Sequence, residues 1–423
     1  SSSGYPSLVI EDDFFFYLKS ASNLWDYGFV TFDGINPTNG IHPLNFFFIS
    51  TIYFLLDLIG IEDVKLSFFV YSAVYLSCIY YVCSYLLKRK EALLLFTSLL
   101  LCSIYMEAVS LGLLLCLFFI KPSRIIFFLI IFCRVDSIII LLPYLIYKLA
   151  NNRKEFLNLL VPFFFGILAT FFFNFLLDGI PISISSLSKI TWDASLAERV
   201  TYNFSSELFL GKLLFAVILF IYALKILLKE KNNTGLLILL GISSFVTIHL
   251  IFSIFRNWYL APLIIFSLFI ILKNLDMVKK NIKIRLVFLV STLTFSILMY
   301  ISHDSYFYKK DRQISEEFIF ELKNYVNKTG YMIDLSGYPS YFSEVNIING
   351  DGLINSFEFY KFKQNNLKDY FIKYGYPNFI VTSNKKIKGE IEKEFFNKRY
   401  CFSWSSPESQ VHKFTIYEEC EDF

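Results

Sequence analysis

The chain is built from stretch after stretch that would be apolar on every side of a helix, and this constrains its fold more than any motif. Phe residues fall in blocks such as Phe163 to Phe165 and Phe171 to Phe173 instead of alternating with polar positions. A helix with no polar face must be lipid-facing or wholly buried. Of 423 residues 55% are hydrophobic and only 18% are charged, against about 25% charged in an ordinary soluble domain. There is too much apolar surface here for water to be the main solvent, so the sequence predicts a polytopic, all-helical membrane body. A net charge of +3, with no stripe of Lys and Arg interleaved with aromatics, argues against nucleic acid as a partner.

Hydropathy places spanning segments at 64–87, 91–106, 107–120, 124–148, 157–177, 206–228, 235–253, 257–273 and 286–301. Basic links lie at Lys88-Arg89-Lys90, at Lys121 with Arg124, at Lys148 with Arg153 and Lys154, at Lys225 to Lys231 and at Lys273 to Arg285. The positive-inside rule puts these in the cytoplasm. Residues 91–120 must then turn outside near Glu107, and 124–148 near Arg134 and Asp136. Each half is about 18–24 Å long, short of a hydrocarbon core of about 30 Å. Short helices that end in charge predict a water-filled cavity in the outer leaflet. The same threading leaves residues 1–63, the link 178–205, Arg256 and everything after 301 outside. It lays 43–60 along the outer interface and expects a further helix ahead of Ser1, about eleven spans in all.

From Ser302 the pattern becomes mixed and charged. Helix-like runs cover 312–328, 355–374 and 385–397, and strand-like runs cover 331–334, 345–348, 379–382 and 414–417. These make a small α/β domain over 302–423, after a loop region at 1–63 and a membrane body at 64–301. Gly337, Gly350 and Gly352 read as turns. No glycine-rich nucleotide fingerprint follows a strand. Five cysteines, Cys78, Cys83, Cys102, Cys116 and Cys133, lie in apolar segments and read as small buried hydrophobes. Cys401 and Cys420 in the polar tail can pair if that tail lies outside the cytoplasm.

Chemistry concentrates in Glu11-Asp12-Asp13-Phe14-Phe15-Phe16-Tyr17-Leu18, followed by Phe32-Asp33-Gly34-Ile35-Asn36-Pro37-Thr38-Asn39-Gly40-Ile41-His42-Pro43-Leu44. Acids abutting an aromatic helix suit proton abstraction from a hydroxyl. Glu107 is costly at a mid-membrane turn unless used or paired. Arg134 and Asp136, two residues apart, fit a turn better than one helix face. Arg256, at the outer end of its segment with His249 and Ser253 along the same face, is suited to gripping a phosphate. His249 reads as a helix-packing residue, and Lys189 in the outer link as a second phosphate contact or a solvated lysine. The four histidines are scattered, and no Ser-His-Asp or zinc pattern is present.

In this order the acidic pair, aromatic helix, Gly-Phe turn and Asn-Gly-x-His-Pro-Leu resemble the first external loop of the glycosyltransferase C superfamily. Protein O-mannosyltransferases, lipid A aminoarabinose transferases and mycobacterial arabinosyltransferases belong to it, and bacterial membrane glycosyltransferases are most similar. The resemblance continues at Tyr105-Met106-Glu107, Arg134-Val135-Asp136 and Arg256-Asn257-Trp258-Tyr259. It returns at Gly337-Tyr338 to Ser343 and at Asn349-Gly350-Asp351-Gly352-Leu353-Ile354-Asn355-Ser356.

It implies an inverting transferase that takes a sugar from a polyprenyl-phosphate donor to a hydroxyl of a glycan, lipid or protein acceptor. The enzyme would sit in a bacterial inner (plasma) membrane with its site on the extracytoplasmic face. By that resemblance Asp12 is the catalytic acid of loop one, and Asp13 and Glu107 hold the base, the acceptor or a divalent cation (Mg, Mn or Ca), which only some relatives need. Arg256, Lys189, Arg134 and Tyr259 surround the donor phosphate, while Asn36, Asn39, His42 and Asp136 shape the loop or hold the acceptor. Two other classes fit parts of the pattern. A polyprenyl-lipid transporter or flippase explains a polar cavity without needing a base, and a non-catalytic assembly subunit explains the hydropathy but not the acids.

Overall fold

A computed structural model describes residues 11–99, 102–190, 198, 207–252, 255–275, 317–333, 335–382, 400–405 and 414–420. The segment at 286–301, the helix-like run at 385–397 and Ser253 lie outside these. The rest is mostly helical, with a small C-terminal sheet.

The amino-terminal helices are α1 (Asp12–Tyr27), stopped by Gly28 in the left-handed conformation, and α2 (Pro43–Leu58), opened by proline. Proline suits a first turn because its missing N–H would have no partner there. The helical body continues with α3 (Val64–Leu86), α4 (Arg89–Leu99), α5 (Glu107–Ile120), α6 (Arg124–Cys133), α7 (Ile138–Asn151), α8 (Arg153–Asp178) and α9 (Ile184–Ile190). Among the described residues it ends with α10 (Glu207–Lys229), α11 (Asn233–Phe252) and α12 (Ala261–Lys273). Four stretches, Val64–Leu86, Arg153–Asp178, Leu210–Lys229 and Asn233–Phe252, are long and apolar enough to cross a membrane. Their outward Phe and Leu residues, such as Phe165 and Leu176, are exposed, as expected where lipid is the solvent.

One expectation changes and another, the break in 124–148, holds. The segment read as 91–106 is helical through Leu99 but has left the helix at Cys102 and Ser103, where Ser103 adopts a positive φ of 55° that no helix tolerates. The 124–148 segment breaks at Arg134, where a single 3-10 turn, Val135–Ser137, separates α6 from α7. α12 is the hub of the body, with every residue from Ala261 to Leu272 buried. Close crossings use glycine: Gly112 of α5 faces Ile265 of α12, Gly166 of α8 faces Ile131 of α6, and Gly241 of α11 meets the main chain of Ile140 in α7. Small residues let backbones approach where lipid provides no hydrophobic drive between helices.

The tail opens with helix α13 (317–322) and continues through β1 (Thr329–Met332), α14 (Gly337–Ser343), β2 (Asn346–Asn349), α15 (Phe357–Asn365), α16 (Leu367–Tyr374), β3 (Phe379–Thr382), β4 (Tyr400–Ser405) and β5 (Thr415–Glu419). The sheet order is β2-β1-β3-β5-β4. β1 pairs in parallel with β2 and β3, whereas β5 runs antiparallel to β3 and β4. Alternation sends Met332, Ile347 and Val381 to a core beneath α13, and Tyr331, Ile348 and Ile380 to one beneath α15 and α16. Cys401 and Cys420 form a disulfide that ties β4 to the end of β5. Gly337 does not mark a turn. It opens α14, and Pro339 in the first turn costs that helix no hydrogen bond.

Candidate functional site

The site forms where the starts of α1 and α5 meet the break between α6 and α7. Charge at the end of an apolar helix needs partners, and here each group finds one. Glu107, at the start of α5, takes a hydrogen bond from Arg134, and their side chains are each 3% exposed. Tyr17 Oη lies 3.4 Å and His42 Nε2 3.5 Å from the same carboxylate. Arg134 turns its other edge to Asp136, Nε to Oδ1 at 3.0 Å and Nη2 to Oδ2 at 2.6 Å. That bidentate pairing is possible because the helix stops at Arg134, freeing the two side chains from a helical register.

His249 of α11 reaches Asp136 Oδ2 at 3.0 Å. Its ring stacks on Tyr259 with centroids 4.6 Å apart and an 8° tilt. Tyr259 is a focus for cations: the Arg134 guanidinium lies 4.9 Å from its ring centre, and Lys189 Nζ lies 3.3 Å from its hydroxyl. Burial works against the Lys189 charge, but Tyr259 and Asp13 around it hold its pKa above that of an ordinary lysine.

The acidic pair of α1 splits between two settings. Asp13 faces the cations. Burial raises its pKa, as do Glu11 and Glu107, against the lowering pull of Lys189 and Arg256. Asp12 turns to the tail domain instead. Its Oδ2 accepts the main-chain N–H of Gly337 at 3.0 Å and its Oδ1 that of Tyr338 at 2.7 Å. Burial lifts its pKa to about 7, the two amides pull it down, and Asp13 and Asp351 push it further up. Each carboxylate oxygen keeps a second lone pair, so a held Asp12 can still take a proton. His42 stays neutral near pH 7, since burial lowers its pKa to about 4 despite Glu107 nearby.

Asp12, Asp13, His42, Glu107, Arg134, Asp136, Lys189, Tyr259 and Arg256 are therefore linked by bonds, ring contacts or direct charge interactions. Asn36 and Asn39 belong elsewhere. Asn36 closes a turn on Asp33 and accepts from Tyr370 Oη at 2.8 Å. Asn39 accepts the Ile184 N–H at 2.8 Å and donates to the Ile182 carbonyl at 3.1 Å, fixing the start of α9 and hence Lys189. Both pin loop one to its neighbours and shape it.

Sequence reasoning did not single out Tyr17 or the amides of Gly337 and Tyr338, and it gave His249 only a packing role. Tyr17 follows Asp13 by one helical turn, the only clue the sequence offers. Among the described residues no three His, Cys, Asp or Glu side chains are grouped as metal donors. Glu107 is taken up by Arg134 and Asp13 faces two cations, so this donor set does not fit a divalent cation. No protein-family model matches the chain, and no curated protein sequence matches it.

Proposed function

We propose that the chain is an inverting glycosyltransferase that moves a sugar from a polyprenyl-phosphate donor to an acceptor hydroxyl at the outer face of a bacterial inner membrane. The observation that carries this reading is Asp13 set against two cations, Lys189 and Arg256, with the carboxylate of Asp12 next to it in the chain and apolar helices alongside. An anionic lipid headgroup needs cations at the membrane edge, and sugar transfer needs a carboxylate near them. The reading keeps loop 1–63, the link to α10 and the domain from 302 to 423 outside. Nucleotide sugars do not occur there, which suits a lipid-linked donor.

In this mechanism the acceptor oxygen attacks the anomeric carbon as its proton passes to Asp12. The bond from that carbon to the phosphate oxygen breaks, and the electron pair leaves with the phosphate, whose added charge Lys189 and Arg256 neutralise. A base with a pKa of about 7 is half ionised at neutral pH and strong enough to assist. Asp13 holds the two cations in place until the phosphate arrives, and Tyr259 orients Lys189. Glu107, Arg134 and Asp136 form the rigid floor.

The test is release of polyprenyl phosphate from a panel of polyprenyl-phosphate hexoses and pentoses by protein in nanodiscs. Asp12→Asn cannot accept the proton, so turnover should fall by roughly 10²–10⁴-fold while affinity for polyprenyl phosphate holds. Full turnover in both Asp12→Asn and Asp13→Asn would sink the transferase reading and favour lipid transport.

A further inference from the structure

The tail domain sits on α1 through a broad apolar contact. Tyr338, Tyr341 and Phe342 pack around Phe15, with ring centres 5.0, 5.8 and 5.5 Å from it. Tyr341 Oη also donates to the Val64 carbonyl at 3.1 Å, Asn346 Nδ2 to Tyr27 Oη at 2.9 Å and Lys19 Nζ to the Glu344 carbonyl at 3.3 Å. Docking is therefore carried without Asp12. Its two amide bonds are a surplus, and both land on one carboxylate.

The approach is possible only because residue 337 is glycine. A β-carbon there would collide with the main-chain oxygen of Asp12 and lie 3.1 Å from its carboxyl carbon. The charged side chains bearing on Asp12 are Asp13 from α1 and Asp351 from the turn after β2, both acids. What favours its charged form against burial and these two acids is the pair of amides, together with its place in the first turn of α1.

We propose that the tail domain is part of the active site, its main-chain amides at Gly337 and Tyr338 acting as positioning groups that aim the Asp12 carboxylate and favour its ionised state. This rests on Asp12 being the base of the transfer reaction. It accounts for a glycine at 337, and it makes turnover depend on a residue 325 positions away in sequence.

Two measurements on the full chain in nanodiscs test it. The first is hydrogen exchange at the amides of 337 and 338, which should be protected in the wild type and about tenfold or more faster in Asp12→Ala, as expected for losing a charge-assisted bond. The second is Gly337→Ala, which leaves every acid in place but displaces the amides. Its affinity for polyprenyl phosphate should stay within about twofold, while kcat falls roughly tenfold or more and the acidic limb of the pH–rate profile moves up by about one pH unit.

The direction follows from the amides' effect: losing donors that stabilise the anion raises the pKa, so higher pH is needed to ionise the base. If Gly337→Ala fails to insert, the exchange comparison still decides. Unprotected amides in a wild type that turns over, or an unchanged kcat and limb in a folded Gly337→Ala, would overturn this inference alone. Protected, Asp12-dependent amides in a wild type without turnover would overturn the transferase reading alone.

Discussion

Replacing Arg134 with methionine removes one guanidinium and leaves two carboxylates facing each other. With Glu107 and Arg134 side chains each 3% exposed, the pair belongs with buried ion pairs, where loss of one partner costs about 3–5 kcal/mol, and not with surface pairs worth about 0–1 kcal/mol. Asp136 is 25% exposed and keeps His249 at 3.0 Å, so it adds at most about 1 kcal/mol. Glu107→Gln is milder, about 1–3 kcal/mol, because Arg134 retains both bonds to Asp136. The double variant leaves no unpaired buried charge at position 107 or 134, so it should cost less than the sum, with a coupling of about 1–3 kcal/mol. The molecule supplies its own reporter: Cys83, Cys102, Cys116 and Cys133 are buried while Cys78 is exposed. A fluorogenic maleimide should therefore follow unfolding during an SDS titration from mixed micelles. Additive losses, or an Arg134→Met cost below about 1 kcal/mol, would refute the assignment of this pair as the buried brace of the site.

Arg256→Ala should weaken polyprenyl-phosphate binding by about 2–5 kcal/mol if it meets a desolvated phosphate, and isothermal titration in nanodiscs measures this directly. Reducing the Cys401–Cys420 bond, which closes a loop of separation 19, should destabilise the sheet by about 3 kcal/mol, seen as faster hydrogen exchange across β4 and β5. For topology, cysteines placed at Asn152 and Asn232 should resist an impermeant outside reagent in intact cells and one at Asn365 should react. The reverse pattern would overturn the threading.

How much of this was legible in advance depends on range. Phe blocks and apolar runs located α3, α8, α10 and α11 because lipid exposure imposes a composition, which a single segment displays by itself. The break at Arg134 was readable for the same reason, since a charge in an apolar run must end a helix or find a partner. The short strand-like runs at 331–334 and 379–382 likewise announced strands. What stayed hidden is what depends on distant chain. α14 begins Gly337-Tyr338-Pro339, residues that locally suggest a turn, and its helix is held by packing on Phe15. The bulge between Phe402 and Trp404 of β4 was hidden too, because it belongs to the pairing with β5 and leaves no mark in the sequence of the strand. Asp12 and Asp13 are adjacent and chemically identical, so nothing local shows that one faces amides and the other cations. That division arises only when α9 brings Lys189 to Asp13 and the tail domain brings its amides to Asp12.

The arrangement of charge around Tyr259 has one more consequence. Asp13, Glu107 and Asp136 stand against Lys189, Arg134 and Arg256, three formal negatives against three positives. Their formal charges cancel, so the cations attract an arriving anion locally while its charge is left uncompensated in the sum. A phosphodiester headgroup can restore neutrality only by bringing a proton with it or by drawing in a counter-ion. Proton uptake on loading would be visible as a binding enthalpy that depends on the ionisation heat of the buffer, whereas an enthalpy independent of buffer would mark entry of a counter-ion.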